Sequence, residues 1–239
     1  MMKRLTAALT ALILLLAGLP ALAETQYGAW TIELTDITLT TGGEEIEAEP
    51  SLVLRVGFTD DHTAAWLTAD VVKDGQSLGG FRAEEDKGGA SRLAFTTGSA
   101  RAATTGKSGA RLHQLLMKEL GVSDIPDSLA EAVDMLDAFL NMPKGVEYLF
   151  AHLGSIKKMS KSQYAVRLDL PDGRADFALS WRWERRAKKP FDLSGLREEK
   201  YDPAEGLAGI DGYDDLQAAL VEDESMEELL IALMLMFGE

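Results

Sequence analysis

An α+β fold is predicted for this chain: a curved antiparallel β-meander of about six to eight strands, a helical insert packed against it and a C-terminal helical tail. Three observations predict it. Apolar residues alternate with polar ones over 28–97 and again over 162–185, the period of a sheet with one buried face. Apolar residues recur at three- and four-residue spacing over 108–155, the period of an amphipathic helix. Residues 201–239 hold 11 acidic residues and no Lys or Arg, a shift in composition that marks them as a separate segment.

The elements follow in chain order. Met1–Ala23 reads as a cleaved signal peptide: Lys3 and Arg4 precede an apolar run over 5–19, and Ala21-Leu22-Ala23 is the small-x-small site. That run is short for a membrane-spanning helix. Cleavage leaves 216 residues starting at Glu24, and the loss of Lys3 and Arg4 moves the formal charge from −15 to −17.

The α+β domain is expected over 24–200. Trp30, Ile32 and Leu34 open the meander, followed by Leu52, Leu54, Val56 and Phe58. Ala65, Leu67, Ala69 and Val71 continue it, then Phe81 and Ala83, then Leu93 and Phe95. Asp74-Gly75 is the strongest turn between runs, because both residues tolerate positive φ. Three helices are expected next. The first carries Leu112, Leu115, Leu116 and Leu120, and the second opens at Pro126 with Leu129, Ala132, Val133, Leu136 and Leu140 on one face. The third follows Pro143 and carries Val146, Leu149, Phe150 and Leu153. A closing hairpin turns at Pro171-Asp172-Gly173 between Tyr164–Leu170 and Phe177–Trp183. The segment 201–239 has helical stretches near 213–221 and 225–237, the latter with nine successive apolar residues from Leu229 to Phe237.

Composition narrows the function. With 46% hydrophobic residues the chain can build a core, and its acidity argues against a nucleic-acid partner. The absence of Cys excludes disulfides, thiolate metal sites, a cysteine nucleophile and a lipoprotein anchor. The single Asn, Asn141, precedes Met-Pro and forms no glycosylation sequon. An exported chain with neither disulfides nor sequons reads as bacterial, periplasmic or extracellular.

No motif demands catalysis. Thr104-Thr105-Gly106-Lys107-Ser108 imitates a phosphate loop, but Arg101 stands where its first Gly belongs. His62, His113 and His152 lack zinc-ligand spacing, so no metal site and no cofactor are expected. Asp60-Asp61-His62 reads as a solvated turn, and His113 and His152 as structural histidines on apolar helix faces. The acid clusters Glu44–Glu49 and Glu84–Asp86 read as hairpin-tip solubilisers, so no catalytic residue is assigned.

The most informative stretch is Trp181-Arg182-Trp183-Glu184-Arg185-Arg186-Ala187-Lys188-Lys189, with five basic residues in nine. Strand alternation sends Trp181 and Trp183 to the core face and Arg182 and Arg186 to the other. The acidic segment from Asp202 onward is expected to dock on these cations. Trp66 lies out of phase with Leu67 and Val71, so the second face of the meander is covered by helices or lines a groove. The candidate binding residues are therefore Trp66, Trp181, Trp183, Arg182 and Arg186.

Export, a meander and helices on its concave side together look like the half-barrel carriers of lipids and lipoproteins exported across bacterial membranes, a resemblance of pattern with no matching motif residue. The leading expectation is a non-catalytic carrier or binding module for an apolar or amphiphilic ligand. The alternative is a structural or protein-interaction module, monomeric or dimeric through 225–237, with no transmembrane helix in the mature chain. A hydrolase working through two carboxylates comes third.

Overall fold

In a computed structural model of the chain, the structure describes residues 25–97, 102–108, 113–114, 126–141, 154–170, 173–196 and 212–221. The elements in order are β1 (Tyr27–Thr41), β2 (Glu44–Ala48), β3 (Ser51–Phe58), β4 (Ala65–Lys73), β5 (Gln76–Glu85), β6 (Ser91–Thr97) and β7 (Ala102–Ser108). Helix α1 (Leu129–Asn141), strands β8 (Gly154–Lys158), β9 (Gln163–Leu170) and β10 (Gly173–Ala187), and helix α2 (Tyr213–Val221) follow.

All ten strands join one antiparallel sheet in the order β7-β6-β5-β4-β3-β1-β10-β9-β8, with β2 added on β1. Strand β1 is the seam. Its first half pairs with β3, its second half with β2, and its other edge runs along β10. A bulge lets one strand serve both halves: Asp36 has φ +52°, and the register with β10 shifts between Thr35 and Thr38. The Asp74-Gly75 turn has φ of +52° and +75°, the conformation that the tight hairpin requires.

Cross-strand partners point to the same face, so the register sorts the sheet into two surfaces. One is apolar. It holds Trp30 beside Val56 and Leu67, and Ile32 beside Leu54 and Ala69. Leu179, Trp181 and Trp183 of β10 carry it across the seam. Helix α1 packs Leu129, Val133 and Leu140 against Trp30, Phe58 and Ala65. Helix α2 sets Leu216 and Tyr213 against Leu67, Phe81, Ala83, Leu93 and Phe95. A third buried cluster joins Ile37 and Leu39 to Tyr164, Val166, Leu168, Phe177 and Leu179. On the other surface polar rows predominate, such as Thr31, Arg55, Thr68 and Arg82.

The predicted α+β class is overturned. Among the described residues strand accounts for 59% and helix for 14%, in two short helices, so this is an antiparallel β protein with helical cover. Among the described residues ten strands replace the expected six to eight. Strand β7 takes up 104–108, where the sequence predicts a loop and the start of a helix, and β8 starts at Gly154, where it predicts the end of the third helix. Pairing decides both: β7 lies against β6 and β8 against β9, and ladder hydrogen bonds outweigh a weak helical period. Strand β2, with Ile46 as its one large apolar residue, stands where the sequence reads as an acidic hairpin tip. The second expected helix coincides with α1, whose Leu129, Ala132, Val133 and Leu140 are buried. The first helix beyond Gln114, the third helix over most of its length, the signal peptide and the 225–237 stretch lie outside the described residues.

Candidate functional site

The five candidate residues do not converge on one point; the sheet divides them between its faces. Trp181 and Trp183 occupy the apolar face, as alternation predicts, paired with Ile32 and Trp30. Trp181 stacks on Tyr164, with ring centroids 5.1 Å apart and planes 10° apart. Trp183 is 43% exposed, yet its ring is closely held. The Trp30 ring lies 5.0 Å away and the Phe58 ring 5.4 Å away. Beneath it is Gly28, where a Cβ would come within 2.2 Å of Trp183 Cζ2. Glycine lets the indole settle on the backbone, which fixes an exposed aromatic surface without burying it.

Helix α1 borders this shelf. Trp30 Nε1 donates to Asp137 Oδ1 at 3.0 Å, and His62 Nδ1 lies 2.8 Å from Asp134 Oδ1. His62 also meets Phe58 edge-on, 5.2 Å between ring centroids. Two polar contacts thus fix the helix beside Trp30 and Phe58 and leave Trp183 open.

Trp66 sits on the opposite face and is completely buried. Its row runs Ala29, Gly57, Trp66, Glu84 and Arg92. The indole lies over Gly57, where a Cβ would approach Trp66 Cε2 to 2.1 Å. Arg55 stacks above it at 5.4 Å, while Tyr27 and Phe191 meet its edges at 6.3 Å. Among the described residues, 188–196, leaving β10, fold back as a strap over Trp66 and bring Phe191 onto its ring. Lys189 anchors the strap on Glu84, a carboxylate that Arg92 also holds at 3.0 Å. Trp66 is therefore core.

The cations also divide. Arg182 pairs with Glu33 at 3.4 Å. Arg186 lines a cleft of about 500 Å³ where β1 begins and β10 ends, together with Thr25, Gln26, Tyr27, Ala187, Lys188 and Lys189. Burial pushes the Tyr27 hydroxyl above its usual value of 10, with Lys189 pulling the other way, so it remains a neutral phenol at neutral pH. Sequence reasoning missed Gly28, Trp30 and Phe58 at the shelf and Thr25, Gln26 and Tyr27 at the cleft. The β1–β10 register sets Trp30 opposite Trp183 and Tyr27 opposite Ala187, and the β1–β3 register sets Phe58 opposite Gly28.

Two other polar groups are accounted for by structure. His113 Nδ1 and Glu85 Oε2 lie 3.1 Å apart, and the Ser91 hydroxyl donates to the same oxygen at 3.4 Å. All three side chains are buried, so substrate does not reach them, and Ser91 meets the carboxylate rather than the imidazole. Asp61 accepts from the Thr59 and Thr63 hydroxyls, both at 2.7 Å. These bonds hold its carboxyl well below the usual 3.8, the reverse of the raised value a general acid needs. Among the described residues no three His, Asp or Glu side chains gather as a metal site, and no helix there is long and apolar enough to cross a membrane. Comparison of the chain with protein-family models, with curated proteins and with solved structures finds no match.

Proposed function

We propose that this protein is a non-catalytic binding module, exported through its signal peptide, that takes an amphiphilic ligand with its apolar part against the Trp183 shelf. One observation carries this reading. A large aromatic side chain is exposed on the apolar face while Gly28, Trp30 and Phe58 hold it still. An indole fixed before binding gives up little conformational entropy when a ligand covers it, and its apolar area is removed from water at about 25 cal/mol per Å².

The test is calorimetric titration of the protein, recovered from a bacterial export pathway, with dodecyl maltoside below its micelle concentration. Saturable binding is expected, and Trp183→Ala should weaken it about tenfold, the scale of losing one well-packed aromatic contact. Full affinity in the variant, or no binding by the parent, overturns the reading.

A further inference from the structure

The cleft between the start of β1 and the end of β10 has a chemistry that sets it apart from the rest of the chain. The protein carries 39 acidic against 24 basic residues, yet no carboxylate lines this cleft, while Arg186, Lys188 and Lys189 do. Lys189 is satisfied by Glu84, which ties the strap to the sheet. Arg186 and Lys188 are exposed and have no ion-pair partner among the described residues. Neutral donors complete the lining: the Tyr27 phenol, bonded to the Thr25 hydroxyl, and the Gln26 amide. Among the described residues two cations without ion-pair partners stand beside neutral polar groups, and the neighbouring Glu84 is held by Lys189 and Arg92, which makes the cleft an anion receptor rather than a solvated charge patch.

We infer that this cleft binds an oxyanion, a phosphate or carboxylate group, through Arg186 and Lys188. The inference rests on the reading of the Trp183 shelf in one respect: the anion is the head of the same amphiphile. Arg186 follows Trp183 by three residues on β10, within the register shift between Glu184 and Ala187. Gly28, beneath the Trp183 ring, directly follows Tyr27 of the cleft. Tyr27 and Gly28 are successive residues of β1 and face opposite sides of the sheet, so one ligand reaches both the cleft and the indole by passing around the start of β1.

The experiment compares dodecyl phosphate, dodecyl maltoside and inorganic phosphate by calorimetry at low ionic strength, on the parent and on R186E/K188E. The parent should prefer dodecyl phosphate to dodecyl maltoside at least tenfold, and added salt should erode that preference. In the variant the ratio of the two affinities should fall to near unity. R186Q/K188Q, which removes charge without reversing it, and circular dichroism of each protein separate a lost site from a lost fold. Dodecyl phosphate displaced by inorganic phosphate supports a site for the anion itself. Dodecyl phosphate bound tightly but not displaced supports a site for the amphiphile's head. Binding of inorganic phosphate alone, lost in both variants, keeps the cleft and removes the Trp183 reading. Equal affinity for the two detergents in parent and variant, without phosphate binding, overturns the cleft and leaves the shelf standing.

Discussion

Two tryptophans on opposite faces rest on glycines of a neighbouring strand, with different consequences. Trp66 over Gly57 is sealed beneath Phe191, whereas Trp183 over Gly28 is open to solvent. Adding a methyl group at each site should separate the two roles. In Gly57→Ala the ring has nowhere to move, and the over-packing should cost about 1–3 kcal/mol. Gly28→Ala should cost less, because an exposed ring can swing away, but should weaken amphiphile binding by displacing the shelf. Urea unfolding of both variants checks this, and equal losses of stability would count against it. Sequence alone marks Trp66 as out of phase. That it is core rather than groove depends on Phe191, far along the chain, reaching it.

At the scale of elements, short polar connections decide where the strands end. The β3–β4 turn is closed by Thr59 N–H donating to the Ala64 carbonyl at 3.0 Å and by the two threonine hydroxyls on Asp61. A carboxyl whose folded value lies below its unfolded value of about 3.8 stabilises the fold above that pH. The contribution fades as pH falls through the depressed folded value. Asp61→Ala should therefore unfold at lower urea than the parent at pH 7, and the gap should narrow below pH 4. Urea midpoints from pH 7 to pH 2 test this; a gap independent of pH would refute it. Strands β2 and β8 were illegible for a related reason. Ile46 and Ile156 are each the one large apolar residue of a five-residue strand, too few to establish a period, so their pairing partners decide them. Their Glu and Lys side chains suit strands that border the sheet.

For the whole molecule, β1 is the seam. Strands β3 to β7 lie to one side of it and β10, β9 and β8 to the other, so neither half completes its apolar face without it. The sheet should melt as one unit. Far-ultraviolet circular dichroism and tryptophan fluorescence should give coincident urea transitions, the fluorescence reporting Trp66 on one face and Trp30 on the other. Two separated transitions would show that β8–β10 fold independently of the seam. A sheet closed by pairing the first strand with the last large hairpin also commits the chain to a long loop closure, which slows folding.

The sequence by itself determined the alternating strands of β1, β3–β6, β9 and β10, the Asp74-Gly75 turn, the apolar face of α1, and the shared face of Trp181 and Trp183. Each follows from a period or a turn residue acting over a few positions, where local geometry dictates the outcome. Only the tertiary structure decided that the fold is an antiparallel β protein, that Trp66 is core beneath the strap, and that Trp183 is an exposed shelf over Gly28. It alone placed Arg186 beside Thr25 and Tyr27 in one cleft. Those outcomes depend on pairing between β1 and β10 and on residues 188–196 crossing the sheet. Contacts between distant segments have no period to reveal them.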